Sequence, residues 1–316
     1  MTTVLRHIRI PSSANRLPAY ESVVGVQAHL QKRLHEYKAA LSLKSPAEPG
    51  PVAPPPTLIS FTPAPTYTLG RRQVGPLSKA EEARLRAPLY VRQHGRGSAE
   101  QPWLEHEPEV VNAPRGGLAT YHGPGQVVFW PVIDLHSPYH SRFTVRDYAC
   151  LLEKTTIAML AELRAPPGGS AVEGFTTDNP GVWVKHSAWS ARLGRQVRVE
   201  GAERKISALG VHLRRHVTGL GVAVNVSMPV TGPEGENPWA RIVACGLEGK
   251  GVTSVMRELY GRGAEDGDGR LAEGLADDVR AKWAQQFEER LGMDWSLQAE
   301  EYKDPMLETL LMQCPS

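Results

Sequence analysis

Apolar side chains recur at steps of three and four along Val23, Val26, Leu30, Leu34, Tyr37 and Leu41, the period of an amphipathic helix, so a helix is predicted there, ending near Lys44. Residues 46–65 are rich in proline, alanine and glycine and cannot continue it; they read as an extended connection holding a short strand over 57–61. Residues 93–109 are polar and read as a surface loop. Dense apolar and aromatic positions over 126–135 predict a buried strand closed by Pro138. A second helix is predicted after Thr144, with Val145, Ala149, Leu152, Thr156, Met159 and Leu163 on one stripe, stopped by the Pro-Pro-Gly-Gly run at 166–169. Three strand-like runs follow, 182–184, 205–214 and 221–226, joined by segments too short for crossover helices, which favours antiparallel pairing. Leu275, Val279, Trp283, Phe287 and Leu291 recur every four residues and mark a third helix packed on the sheet, preceded by a flexible Gly/Asp-rich loop over 261–269. Strands in clusters with a few helices predict an α+β fold rather than a doubly wound sheet.

Composition narrows the classes of function. The chain has 316 residues, is 41% hydrophobic and carries a formal charge of only +2, enough for a sizeable core and without the basic block expected of a nucleic-acid binder. Three cysteines, Cys150, Cys245 and Cys314, with no CxxC pair, make neither a disulfide framework nor a zinc cage. No apolar run approaches the ~20 residues of a membrane span. The first twenty residues carry Arg6, Arg9 and Arg16 and no acid before Glu21, which suits a transit peptide; residues 4–10 suit a first strand equally well.

Candidate chemistry lies in three stretches. Residues 115–126, Arg-Gly-Gly-Leu-Ala-Thr-Tyr-His-Gly-Pro-Gly-Gln, hold four glycines in twelve residues, a backbone able to turn sharply beside a ligand, with Arg115, Tyr121 and His122 as polar anchors. The run matches neither GxxxxGK[ST] nor a GxGxxG after a strand, so a non-phosphate ligand is favoured. Cys245 follows an apolar approach and precedes Gly246; it is either a buried inert thiol or a nucleophile, and the latter needs a nearby positive charge. Lys205, at the start of a predicted strand, is the candidate neighbour, or else a solvated strand-end lysine. Strict alternation would place it on the face of Ser207 and Leu209, opposite Ile206 and Ala208. Residues 252–255 begin the next element.

Together these stretches closely resemble one family, the octanoyltransferases that start protein lipoylation. The pieces are RGGLATYHGPGQ at 115–126, KISALGVHLRRHVTGLGVAVNV at 205–226 and ACGLEGKGVTSV at 244–255, with TYTLGR at 66–71 as a weaker fourth. The resemblance implies a mixed, largely antiparallel sheet flanked by helices, like the catalytic domains of biotin and lipoate ligases. It implies a catalytic domain over 1–260, with loop insertions near 44–57, 93–112, 186–203 and 229–240, and a C-terminal helical extension over 261–316 packed on it. It further implies a ping-pong acyl transfer without metal or ATP, in which octanoyl (or lipoyl) passes from acyl carrier protein to Cys245 as a thioester. The acceptor is a lysine of a lipoyl domain, as in the glycine cleavage H protein and 2-oxoacid dehydrogenase E2. Neither nucleic acid nor a membrane takes part.

Lys205 would lower the thiol pKa and act as general acid and base. Carried over by position, Arg115, Gly116, Gly117, Leu118, Ala119, Thr120, Tyr121 and His122 line the acyl pocket, with Ala208, Leu209, Gly210, Gly221, Val222 and Ala223. Ala244 stands where the family usually has proline, and Thr62-Pro63 where bacterial members carry Glu-His. That replacement and the inserts look like fungal members, which implies the mitochondrial matrix, or the cytoplasm for a bacterial chain. An ATP-dependent ligase of the same fold is the main rival, although the GRGRxxRxW-like loop of biotin ligases is missing. A non-catalytic acyl-binding relative is the other.

Overall fold

The computed structural model describes residues 5–12, 16–45, 49–73, 75–92, 103–165, 171–190, 195–242, 250–261, 269–293 and 304–314, giving backbone alone at 92, 186–190 and 195–202. Of the two readings of residues 4–10, the strand is present: β1 (Arg6–Arg9) leads to α1 (Tyr20–Leu43), whose cap is Lys44. The helical stripe buries Val23, Val26, Leu30 and Leu34 but leaves Leu41 exposed in the last turn. Beyond the proline stretch come β2 (Thr57–Phe61), β3 (Thr66–Leu69), α2 (Lys79–Arg86) and β4 (Leu89–Arg92). Part of the loop expected over 93–109 is strand instead. There β5 (Trp103–His106) pairs antiparallel with β4, and β6 (Glu109–Asn112) pairs parallel with β3. The polar residues of β5 misled because its partner β4 makes only a two-stranded ribbon, which leaves Trp103 and Glu105 exposed.

Next come β7 (Thr120–His122), β8 (Gln126–Val132), α3 (Val145–Glu162), β9 (Gly174–Phe175), β10 (Gly181–Ser190), β11 (Arg195–Arg214) and β12 (Val217–Asn225). Thr144 caps α3 in a reciprocal box with Asp147, two orphan donors satisfied at once. The insertion expected at 186–203 is mostly ladder, since β10 and β11 pair from Gly181 out to Ser190. Arg215 and His216 both adopt left-handed backbone and close the β11–β12 hairpin tightly. Last are β13 (Gly251–Val252), α4 (Val255–Tyr260), capped by Ser254, α5 (Gly269–Leu291) and α6 (Pro305–Gln313). The loop expected at 261–269 falls mainly on residues outside those described.

The fold is α+β. Its main sheet runs β1-β2-β8-β12-β11-β10-β9, with β13 beside β11; only β1–β2 and β11–β13 are parallel. One face packs under α3 and α5, where Trp283 of α5 stacks on Phe129 of β8 at 4.3 Å. Because Val279, Trp283 and Phe287 are wholly buried in that cluster, α5 completes the core. The other face is covered by α1, on which α6 is latched: Asp304 caps α6 and accepts from His29 (2.9 Å) and Arg33 (3.1 Å). Among the described residues no helix is long and apolar enough to cross a membrane.

Candidate active site

On the α1 side of the sheet, β11 and β12 present a row of small side chains. Ala208 pairs with Ala223, and Gly210 with Gly221. Over them lies a cavity of about 30 Å³, walled also by Arg115, Thr120, His122, Val128, Trp130, Leu220 and Tyr20 of α1. A side chain at 210 would run into Arg115, whose Cδ lies 2.5 Å from an ideal Cβ. His122 is buried, stacked on Tyr20 at 5.5 Å, and burial holds its pKa down at about 4, so it is neutral at physiological pH.

Lys205 is on this same face, for a reason strict alternation hides. Ile206 packs in the α3–α5 cluster, and so do Leu209, Val211 and Leu213, which no regular strand permits. Pairing with β10 slips here: Val182 faces Ser207 and Trp183 faces Lys205, leaving Ile206 as the extra residue of a bulge. Lys205 therefore sides with Ala208 and Gly210, not with Ser207 and Leu209. It is only 5% exposed. Its Nζ donates to the Pro180 carbonyl (3.0 Å) and sits 4.8 Å from the Trp183 ring centroid. Trp183 donates to Asn179 O, and Gly181 N–H to Glu153 Oε1 (2.9 Å), so the turn holding the ammonium is itself held. Burial raises the Glu153 pKa. Lys250 approaches the same indole at 4.8 Å.

A buried polar chain joins the cavity to this lysine. His122 Nδ1 meets Gln126 Oε1 (2.8 Å), Gln126 Nε2 donates to Asn225 Oδ1 (3.0 Å), Asn225 Nδ2 donates to Thr253 O (3.1 Å), and Thr253 N–H donates to Lys205 O (3.0 Å). With Gln126 accepting, Nδ1 carries the His122 proton. Each of the three sequence motifs contributes a member: Gln126, Asn225 and Thr253. Asn225→Ala would leave two buried partners unmatched, so a loss of about 1–3 kcal/mol is expected; urea denaturation read by fluorescence measures it.

The lipoyl protein ligase A/B catalytic domain model matches residues 47–266. The probable octanoyltransferase of Schizosaccharomyces pombe is 31% identical over 250 residues, covering 79% of this chain and 86% of that one. The mitochondrial octanoyl-[acyl-carrier-protein]:protein N-octanoyltransferase of Homo sapiens is 34% identical over 251 residues, 77% of this chain and 81% of that one. The chain belongs to the octanoyltransferase family. Among solved structures, a bipartite lipoate protein ligase from Thermoplasma acidophilum is similar at a TM-score of 0.46 and 12% identity, covering 98% of this chain and 91% of that one.

In this octanoyltransferase the residues expected around the ligand divide into two groups. Arg115, Thr120 and His122 wall the cavity together with Ala208, Leu209, Gly210, Gly221, Val222 and Ala223. Gly116, Gly117, Leu118, Ala119 and Tyr121 are not among its walls. Tyr121 points into a separate cluster against Tyr67 and Trp239. Arg115 is no free anchor either: its guanidinium donates to the Thr68, Gly116 and Leu118 carbonyls and to Thr68 Oγ1 at 2.7–2.9 Å, stapling the glycine-rich loop to β3. Cys245 lies outside the described residues; β13, which follows it in the chain, runs beside Lys205, with Val252 as that lysine's Cα partner.

Sequence reasoning missed Tyr20, Val128, Trp130 and Leu220. Val128 and Trp130 were within its reach, as alternate residues of one predicted strand. Leu220 was not. Alternation from Val222 and Val224 would send it to the α3–α5 face, yet it packs with the α1 cluster because its backbone is left-handed, φ 59°, at a cost of roughly 1–2 kcal/mol for such a residue. In register it falls opposite Pro131, which has no N–H to give its carbonyl. The Leu220 amide donates to Gln27 Oε1 (2.6 Å) of α1.

Proposed function

We propose that the chain transfers an octanoyl group from acyl carrier protein to a thioester on Cys245, and from there to a lysine amine of lipoyl domains. These domains are those of the glycine cleavage H protein and 2-oxoacid dehydrogenase E2, and the reaction takes place in the mitochondrial matrix. The observation that carries this reading is the buried Lys205 standing on the same sheet face as a cavity floored by alanines and glycines. In the first half-reaction Lys205 takes the Cys245 thiol proton, the thiolate attacks the donor's thioester carbonyl, and the tetrahedral intermediate expels the carrier thiolate, which receives that proton. In the second, the acceptor amine attacks the enzyme thioester, Lys205 removes a proton from the nitrogen, and the Cys245 thiolate leaves and is reprotonated. Each methylene buried over the small residues contributes about 0.8 kcal/mol.

The test is to incubate the purified chain with octanoyl-acyl carrier protein and an apo lipoyl domain, with and without ATP. The acceptor lysine is expected to gain one octanoyl amide at the same rate in both. Transfer that requires ATP would assign the chain to ligase chemistry instead, and no transfer under either condition would overturn the reading.

A further inference from the structure

Leu220 is the one cavity wall held in place by strained backbone. Its neighbours in sequence are glycines, and the cavity row before it is bare: Ala208 with Ala223, then Gly210 with Gly221. The next level of the sheet is Val211 with Leu220, and there a branched side chain is turned by its left-handed conformation onto the face that alternation would have left to solvent-sized space. Trp130 lines the cavity with it and shares its cluster against α1, fixed edge-on by both Tyr20 (5.2 Å) and Phe61 (4.7 Å). Lys205 lies at the opposite end of the same row.

We propose that Leu220 is the stop that sets how long an acyl chain the cavity accepts. The distance supports this. The β11 lining of the cavity begins at Ala208; from there to the level of Leu220 is three residues, about 10 Å at strand rise, and an extended eight-carbon chain whose carbonyl lies at the Ala208 level, with C–C bonds of about 1.5 Å, reaches about 9 Å. A chain two to four carbons longer would have to displace Leu220. Several features make that costly: the amide is tied to Gln27 Oε1, the neighbouring Thr218 hydroxyl donates to Pro131 O (2.7 Å), and Gln31 donates to Thr218 O (3.0 Å). The strain thus places a side chain where a regular strand would have put none, and strained backbone of this kind collects at ligand-binding sites.

This inference rests on the acyl-transfer reading above, and the experiment separates the two. Wild type, Leu220→Gly and Leu220→Ala are each given an equimolar mixture of octanoyl, decanoyl and dodecanoyl carrier protein, and the enzyme adducts are resolved by intact mass. Glycine adopts φ 59° without strain, so Leu220→Gly loses only the side chain; circular dichroism and the thermal transition check its fold. The dodecanoyl-to-octanoyl adduct ratio is expected to rise at least tenfold in Leu220→Gly and by a smaller factor in Leu220→Ala. A folded variant with the wild-type ratio overturns the assignment of Leu220 and leaves acyl transfer intact. Should neither variant fold, the wild type decides, because taking dodecanoyl as readily as octanoyl would show that nothing stops the chain there. A wild type that forms no adduct of any length refutes acyl transfer itself, and the stop with it.

Discussion

Mixed with octanoyl-acyl carrier protein and no acceptor, the wild-type chain is expected to gain one octanoyl mass that hydroxylamine removes, and Cys245→Ser to lose that adduct, with acceptor turnover falling by about 10³-fold or more. The effect should be this large because the other two thiols are poor substitutes. Cys314 is fully buried against α1, and burial pushes its thiol pKa up, so little thiolate forms. Cys150 lies half-buried on α3, beside Phe143 and Lys154, on the sheet face away from the small-residue row. Peptide mapping of the adduct decides: octanoate on Cys150 or Cys314, or a hydroxylamine-labile adduct surviving in Cys245→Ser, would show that the nucleophile is a different residue.

Lys205→Ala is expected to slow both half-reactions by about 10²–10⁴-fold, the usual range for removing a general acid–base. The same substitution should move the alkylation of Cys245 by iodoacetamide to higher pH, since a buried ammonium beside a thiol favours its anion. Lys205→Arg separates the two contributions. Arginine keeps the charge over Trp183 but cannot give up its proton, so alkylation should stay near the wild-type pH while acyl transfer stays slow. An alkylation profile unchanged in Lys205→Ala would remove Lys205 from the chemistry. Because Nζ also donates to Pro180 O, thermal stability of each variant is measured alongside, and a rate loss in a folded variant is the informative one.

Much of this was legible in the residues themselves. The helices α1, α3 and α5 follow from spacings of three and four residues, and the start of α3 after Thr144 agrees with that residue's cap with Asp147. The antiparallel run β10–β11–β12 follows from short connections. β5 and β6 were not legible, because their residues carry no alternation, and pairing with β4 and β3 supplies what the local sequence lacks. Arg115 reads as a ligand anchor on its residue type alone; only the carbonyls of Thr68, Gly116 and Leu118 around it show that its donors are already engaged.

The sequence by itself determined the periodic elements, the family and the residue types available for acyl transfer, since backbone periodicity and motif identity are local properties of the chain. Tertiary structure alone decided which way two decisive side chains point. Lys205 reaches the cavity face because β10 and β11 slip by one residue at Ile206, and Leu220 because its backbone is left-handed, with its amide donating to Gln27 Oε1 of α1. Both reversals arise between segments far apart in the chain, where hydrogen bonding across strands overrides the two-residue alternation that each strand would follow alone.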